Sequence, residues 1–193
     1  MRRLLSLGPA AALVAGVLSA AAPAQAAVTI DCSVGPVSIT SSTEDYVLTG
    51  ACSNVTVAAS NVTVVLTGAS RLDISGANVV VTSSGPINAL TVADAVSTVK
   101  APAAHSATIS SSNVVLKIPA LDSLKIEGSN NRVKATAGDV ATVRGANNRL
   151  TYTKLGVLVI KGPNDVAKVR KGSTEVTVHG ANNVVRVHKR LHP

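Results

Sequence analysis

The chain has no tryptophan, no phenylalanine and only two tyrosines, Tyr46 and Tyr152. Clefts that grip sugars, and grooves that grip single-stranded nucleic acid, offer aromatic faces for stacking. Recognition by stacking is therefore excluded, and nucleic acid is a disfavoured partner. Cysteine is nearly absent as well: Cys32 and Cys52 allow one disulfide at most. Acids are few and scattered. Glu44-Asp45 is the only adjacent pair, and Asp122, Glu127, Asp139, Asp165 and Glu175 do not all share one spacing. An enzyme needs clustered acids, a nucleophile with its base, or a metal site, and none is legible, so no catalytic residue is expected. His188 and His192 are four apart, but zinc would need a helix and further ligands. The Gly-Gly-x-Gly-x-Asp signature of calcium-binding solenoids is missing too. No metal and no cofactor are expected.

Only one long hydrophobic run exists. Arg2 and Arg3 precede a nearly uncharged stretch from Leu4 to Ala22, followed by Ala24-Gln25-Ala26. Basic, apolar and small-residue regions in that order read as a secretory signal peptide, residues 1–26, cleaved before Ala27. Gly8, Pro9 and Gly16 interrupt the run, which disfavours a retained anchor, and the mature chain has no span of its own. The expected location is therefore secreted or extracytoplasmic, at the cell envelope. In that oxidising setting the two cysteines read as a bridge. The mature chain, 27–193, has the length of a single domain, ending in a basic tail over 188–193.

What is abundant is Val, Ala, Thr, Ser, Asn and Gly, a mixture that favours strands punctuated by turns. The decisive feature is repetition. Ile-Glu-Gly-Ser-Asn-Asn (126–131), Val-Arg-Gly-Ala-Asn-Asn (143–148), Ile-Lys-Gly-Pro-Asn-Asp (160–165) and Val-His-Gly-Ala-Asn-Asn (178–183) place Gly128, Gly145, Gly162 and Gly180 17, 17 and 18 residues apart. Stepping backward gives Ser111, Asp94, Gly76, Ala59 and Ser41 as equivalent anchors, nine copies in all. The residues four and two before each anchor are apolar in every copy, from Val37/Ile39 to Val176/Val178. Those five and seven after it are apolar except Ser83.

Alternation flanking a turn places these pairs on one face. Two short strands and two turns per 17–18 residues predict one coil of a parallel β-solenoid, whose apolar side is buried only by stacking. An antiparallel β-sandwich would explain the alternation but not a register kept nine times. The corner glycine is expected to supply a left-handed or tight conformation. Asn61, Asn78, Asn113, Asn130, Asn147, Asn164 and Asn182 are expected to bond the turn and to stack as amide ladders. Cys32 and Cys52, little more than one coil apart, would staple the N-terminal end.

The recurring Gly-Ala/Ser-Asn-Asn-x-Val/Leu unit in a small exported chain resembles a mainly actinobacterial family catalogued as domain of unknown function 3060. The resemblance is clearest from Ser111 onward. It implies an exported or envelope-associated protein and carries over no catalytic residue.

Charge is the remaining signal. Residues 27–99 hold one base and five acids, net −4, whereas 100–193 hold 15 bases and five acids, net +10. Such asymmetry suggests an anionic partner. The position six after each anchor reads Val47, Val65, Thr82, Lys100, Lys117, Lys134, Thr151, Lys168 and Arg186. On a solenoid this is one exposed column, with Arg132, Arg144, Arg149 and Lys161 expected to flank it. The expected function is a non-enzymatic binding or structural module whose basic stripe contacts an anionic envelope polymer or an anionic lipid surface. The alternative is a secreted enzyme acting on a polysaccharide.

Overall fold

A computed structural model describes residues 26–191. The signal peptide reading therefore lies outside the described residues except for Ala26, as do His192 and Pro193.

All strands join into one sheet that winds on itself. Every pairing is parallel and links residues 17 or 18 apart, closing to 16 only where Ser173 meets Lys189. This is the β-solenoid, and parallel pairing throughout excludes the sandwich. It has about ten coils rather than nine, because Val28–Asp31 forms a partial first coil beneath Tyr46–Thr49.

The apolar pairs read from the sequence form the interior. Leu124, Ala141 and Leu158 are in register in one column, and Ile126, Val143 and Ile160 in the next. All six are buried, each Leu or Ile contributing about 1.5–3 kcal/mol of transfer free energy. The pairs after the corner, such as Val133/Ala135 and Leu150/Tyr152, close the core from the other side.

Each coil holds the two strands expected, but the longer strand makes two sides, so the coil has three. In Ala120–Ile126 one strand bends to make sides one and two. The corner 127–131 follows, then Arg132–Lys134 as side three. Side one adds its own inward column, running Cys52, Ala69, Ile87, Ala104, Leu121, Gly138 and Leu155. At Gly138 a Cβ would lie 2.8 Å from the Tyr152 ring and 2.4 Å from the Leu121 carbonyl oxygen. Its absence makes room for the one aromatic ring buried in the C-terminal coils.

The corners divide their work differently from the expected way. The anchor glycines are not left-handed. A Cβ on Gly128, Gly145 or Gly162 would fall within 1.8 Å of the carbonyl oxygen one coil earlier, so at these three corners glycine allows the close approach of consecutive backbones. The left-handed residue is the first Asn: Asn61, Asn78, Asn113, Asn130, Asn147, Asn164 and Asn182 have φ between 54° and 61°, a region Asn tolerates better than most residues. The backbone N–H groups of the first six donate to the next coil, as from Asn130 to the Ala146 carbonyl at 3.0 Å. Thr43 and Val96 hold the same conformation without the amide.

Cys32 and Cys52 are bonded, with Cα atoms 4.7 Å apart. Closing a loop of this size contributes about 3 kcal/mol on a chain-entropy model. At the other end His188 does not begin a free tail: Lys189, Arg190 and Leu191 continue the last strand and pair with Ser173, Thr174 and Glu175.

Candidate functional site

The basic column is real in register. Thr82 pairs with Lys100, Lys100 with Lys117, Lys117 with Lys134, Lys134 with Thr151, Thr151 with Lys168 and Lys168 with Arg186. The five cations are exposed and recur at strand spacing, about 4.8 Å. Arg132 and Arg149 pair with each other two residues earlier on the same strands, so their side chains share this outward face. From Thr63 onward the outward positions of side three hold Thr, Val, Lys and Arg and no acid.

Arg144 and Lys161 are placed elsewhere. Both stand just before the corner glycine, at the end of side two, with the corner between them and side three. Arg144 is also engaged, its Nη1 lying 4.0 Å from Glu127 Oε1, while Lys125 Nζ reaches the same oxygen at 2.7 Å. That cluster holds the Glu127 carboxyl below its usual range, first through the Lys125 hydrogen bond. Acids therefore neutralise cations on side two; none of the ion pairs among the described residues involves Lys100, Lys117, Lys134, Lys168, Arg186, Arg132 or Arg149.

Between the two sides the corners form a groove of about 300 Å³ lined by Asn130, Asn147, Asn164, Arg132 and Arg149. The expected ladder of outer amides forms only once, where Asn78 Nδ2 donates to Asn61 Oδ1 at 2.9 Å. The continuous ladder uses the next residue instead. Val114 N–H donates to Asn131 Oδ1, Asn131 N–H to Asn148 Oδ1, Asn148 N–H to Asp165 Oδ1 and Asp165 N–H to Asn183 Oδ1, all within 2.9 Å. Asn131 and Asn183 also donate Nδ2 to the carbonyls of Ser111 and Gly162. Asp165 has no such donor when ionised, and its Oδ2 is buried without a partner. Burial pushes its carboxyl pKa up, partly offset by the Asn148 N–H.

Sequence reasoning missed a hollow of about 630 Å³ on side one, lined by small residues such as Gly68, Ala103 and Ala120. Ser70, Asn88, His105 and Asp122 also line it, and His105 Nδ1 lies 3.1 Å from Asp122 Oδ2. Asp139 is the equivalent of Asp122 one coil later, in the register that pairs Ala120 with Ala137 and Ser123 with Val140. The signal was available: Asp122 and Asp139 are both six residues before an anchor, as is His105.

Among the described residues no group of three His, Cys, Asp or Glu side chains is placed to hold a metal ion. No described helix is long and apolar enough to cross a membrane. The disulfide is compatible with an extracytoplasmic setting. No protein-family model, curated protein or solved structure matches the chain.

Proposed function

We propose that this is an exported, non-enzymatic β-solenoid that binds a linear anionic polymer of the cell envelope through side three. One observation carries the reading: seven cations share a face without a single acid to pair them, although acids are used on side two. Like charges on neighbouring strands repel, by a few tenths of a kcal/mol or more each at exposed sites. A polyanion laid along the axis relieves that repulsion, and salt weakens its hold by screening. The resemblance to domain of unknown function 3060, carried by the corner motif, belongs to the same proposal.

The test is salt-dependent retention on an immobilised anionic polymer. Lys117→Glu, Lys134→Glu and Lys168→Glu together are expected to abolish retention while leaving the circular dichroism spectrum unchanged. The control places the same change at Lys125, Lys154 and Lys171, away from side three. Equal loss in both triples would mean that net charge alone binds, and the proposal would fail.

A second reading, an enzyme acting on a polysaccharide, draws support from Asp122 and Asp139. They hold the same position on consecutive coils, so one face carries the pair of carboxylates that glycoside hydrolysis uses. New reducing ends from a polysaccharide panel, lost in Asp122→Asn, are its expected result; a panel left intact by the unmodified protein removes this reading.

A further inference from the structure

We infer that the corner groove beside side three is a selective subsite for a polymer bearing hydroxyls as well as oxyanions. The inference rests on the polyanion reading above and concerns which polyanion is chosen. The lysine column supplies point charges on flexible stems, which attract any anion without reading its shape. The groove offers something more directional. Arg132 and Arg149 are in register on consecutive coils and make no ion pair in the structure. Each guanidinium can grip a carboxylate or phosphate with two parallel N–H bonds.

Alongside them stand Asn130, Asn147 and Asn164, with φ of 58° to 59°. The three therefore repeat one conformation at coil spacing. In contrast to Asn78 and Asn61, none of the three amides is hydrogen-bonded to another side chain or to the backbone. Each has two donors and an acceptor to offer. Carboxylate and phosphate oxygens use the donors but have no proton to give the amide oxygen. A hydroxyl does. A row of arginine forks beside a row of free amides thus matches a chain that presents an oxyanion and a hydroxyl in each repeat, such as a polyuronate or a polyol phosphate. Inorganic polyphosphate, with charge and no hydroxyl, satisfies the lysines and the arginine forks but gives the amide oxygens no proton.

The left-handed backbone makes the test clean. Glycine adopts the same φ without strain, so Asn130→Gly, Asn147→Gly and Asn164→Gly together remove the amides and keep the corners. Arg132→Lys with Arg149→Lys keeps the charge and removes the forks. Binding of both variants and the unmodified protein is measured at fixed salt to polygalacturonate, poly(glycerol phosphate) and polyphosphate of matched charge. The expected result is a preference of about tenfold for at least one hydroxyl-bearing polymer. The asparagine variant loses it without a change in polyphosphate binding, the arginine variant weakens binding to all three polymers, and the preferred polymer identifies carboxylate or phosphate as the recognised group. Binding that follows charge alone, with both variants like the unmodified protein, overturns the subsite and leaves the polyanion reading standing. No binding to any of the three overturns both.

Discussion

Asp165 stands in a buried column where Asn131, Asn148 and Asn183 each present an amide. Its Oδ1 does what theirs does, but its Oδ2 is buried unpaired, as is Asn148 Nδ2; each such atom is worth about 1–3 kcal/mol of destabilisation, more for a charged carboxylate than for an amide. A raised folded pKa means the folded state holds its proton more tightly than the unfolded chain. The contribution is then favourable below the unfolded Asp value, about 3.9. It is lost as pH rises from there through the folded value. Asp165→Asn is expected to raise the urea midpoint at pH 7 and to flatten the fall in stability between pH 4 and 7. A variant less stable than the parent at pH 7 would show that the carboxylate is satisfied after all. The sequence shows Asn-Asn repeating and Asp165 replacing the second Asn once. It does not show which of the two faces inward, because both are short, polar and common at turns.

At the scale of the corner, composition alone misassigns glycine. Glycine usually earns a turn by tolerating positive φ; here Asn has that task, and even Val96, a β-branched residue, is held at φ 60°. Local preference yields to the stacking around it. The anchor glycine answers a different demand, close approach of consecutive backbones. Gly145→Ala would set a Cβ 1.8 Å from the Gly128 carbonyl oxygen and is expected to cost at least about 3 kcal/mol, because backbone must move. Gly172→Ala meets no atom within 4 Å but has φ +80°, so only backbone strain of about 1–2 kcal/mol is expected. Chemical denaturation of the two variants decides the matter, and equal losses would remove the close-approach explanation. Sides two and three were legible because two inward positions per strand alternate with outward ones. Side one was not, since it contributes one inward residue per coil and fills it with Cys, Ala, Ile, Leu or Gly.

Over the whole molecule the repeat sets the register, and with it the lysine column. What the repeat could not give was the placement of residues around the corner. Arg144 stands five residues before Arg149 and Lys161 five before Val166, yet a tight turn places them on another side. His105 escaped notice because a single histidine carries no pattern until the coils are stacked. The charge gradient also acquires a direction: acids predominate in the coils near the disulfide and cations in those far from it, so a bound polyanion would lie against the C-terminal portion of side three.

Strand pairing joins each coil only to the coil before and the coil after. Mechanically, such a molecule is a zipper rather than a knot. Pulled apart from its C-terminal coil, it has no long-range contact that must break all at once. Each detached coil frees 17 or 18 residues, about 60 Å of contour at roughly 3.5 Å per residue. A force–extension trace in an optical trap is expected to show a staircase of that step height. The Cys32–Cys52 bond keeps its enclosed loop out of the final extension until a reductant is added. One abrupt rip to full length would show instead that the coils yield together. A staircase would mean that a strained molecule surrenders its outermost coils while the inner ones, and whatever they hold, remain intact.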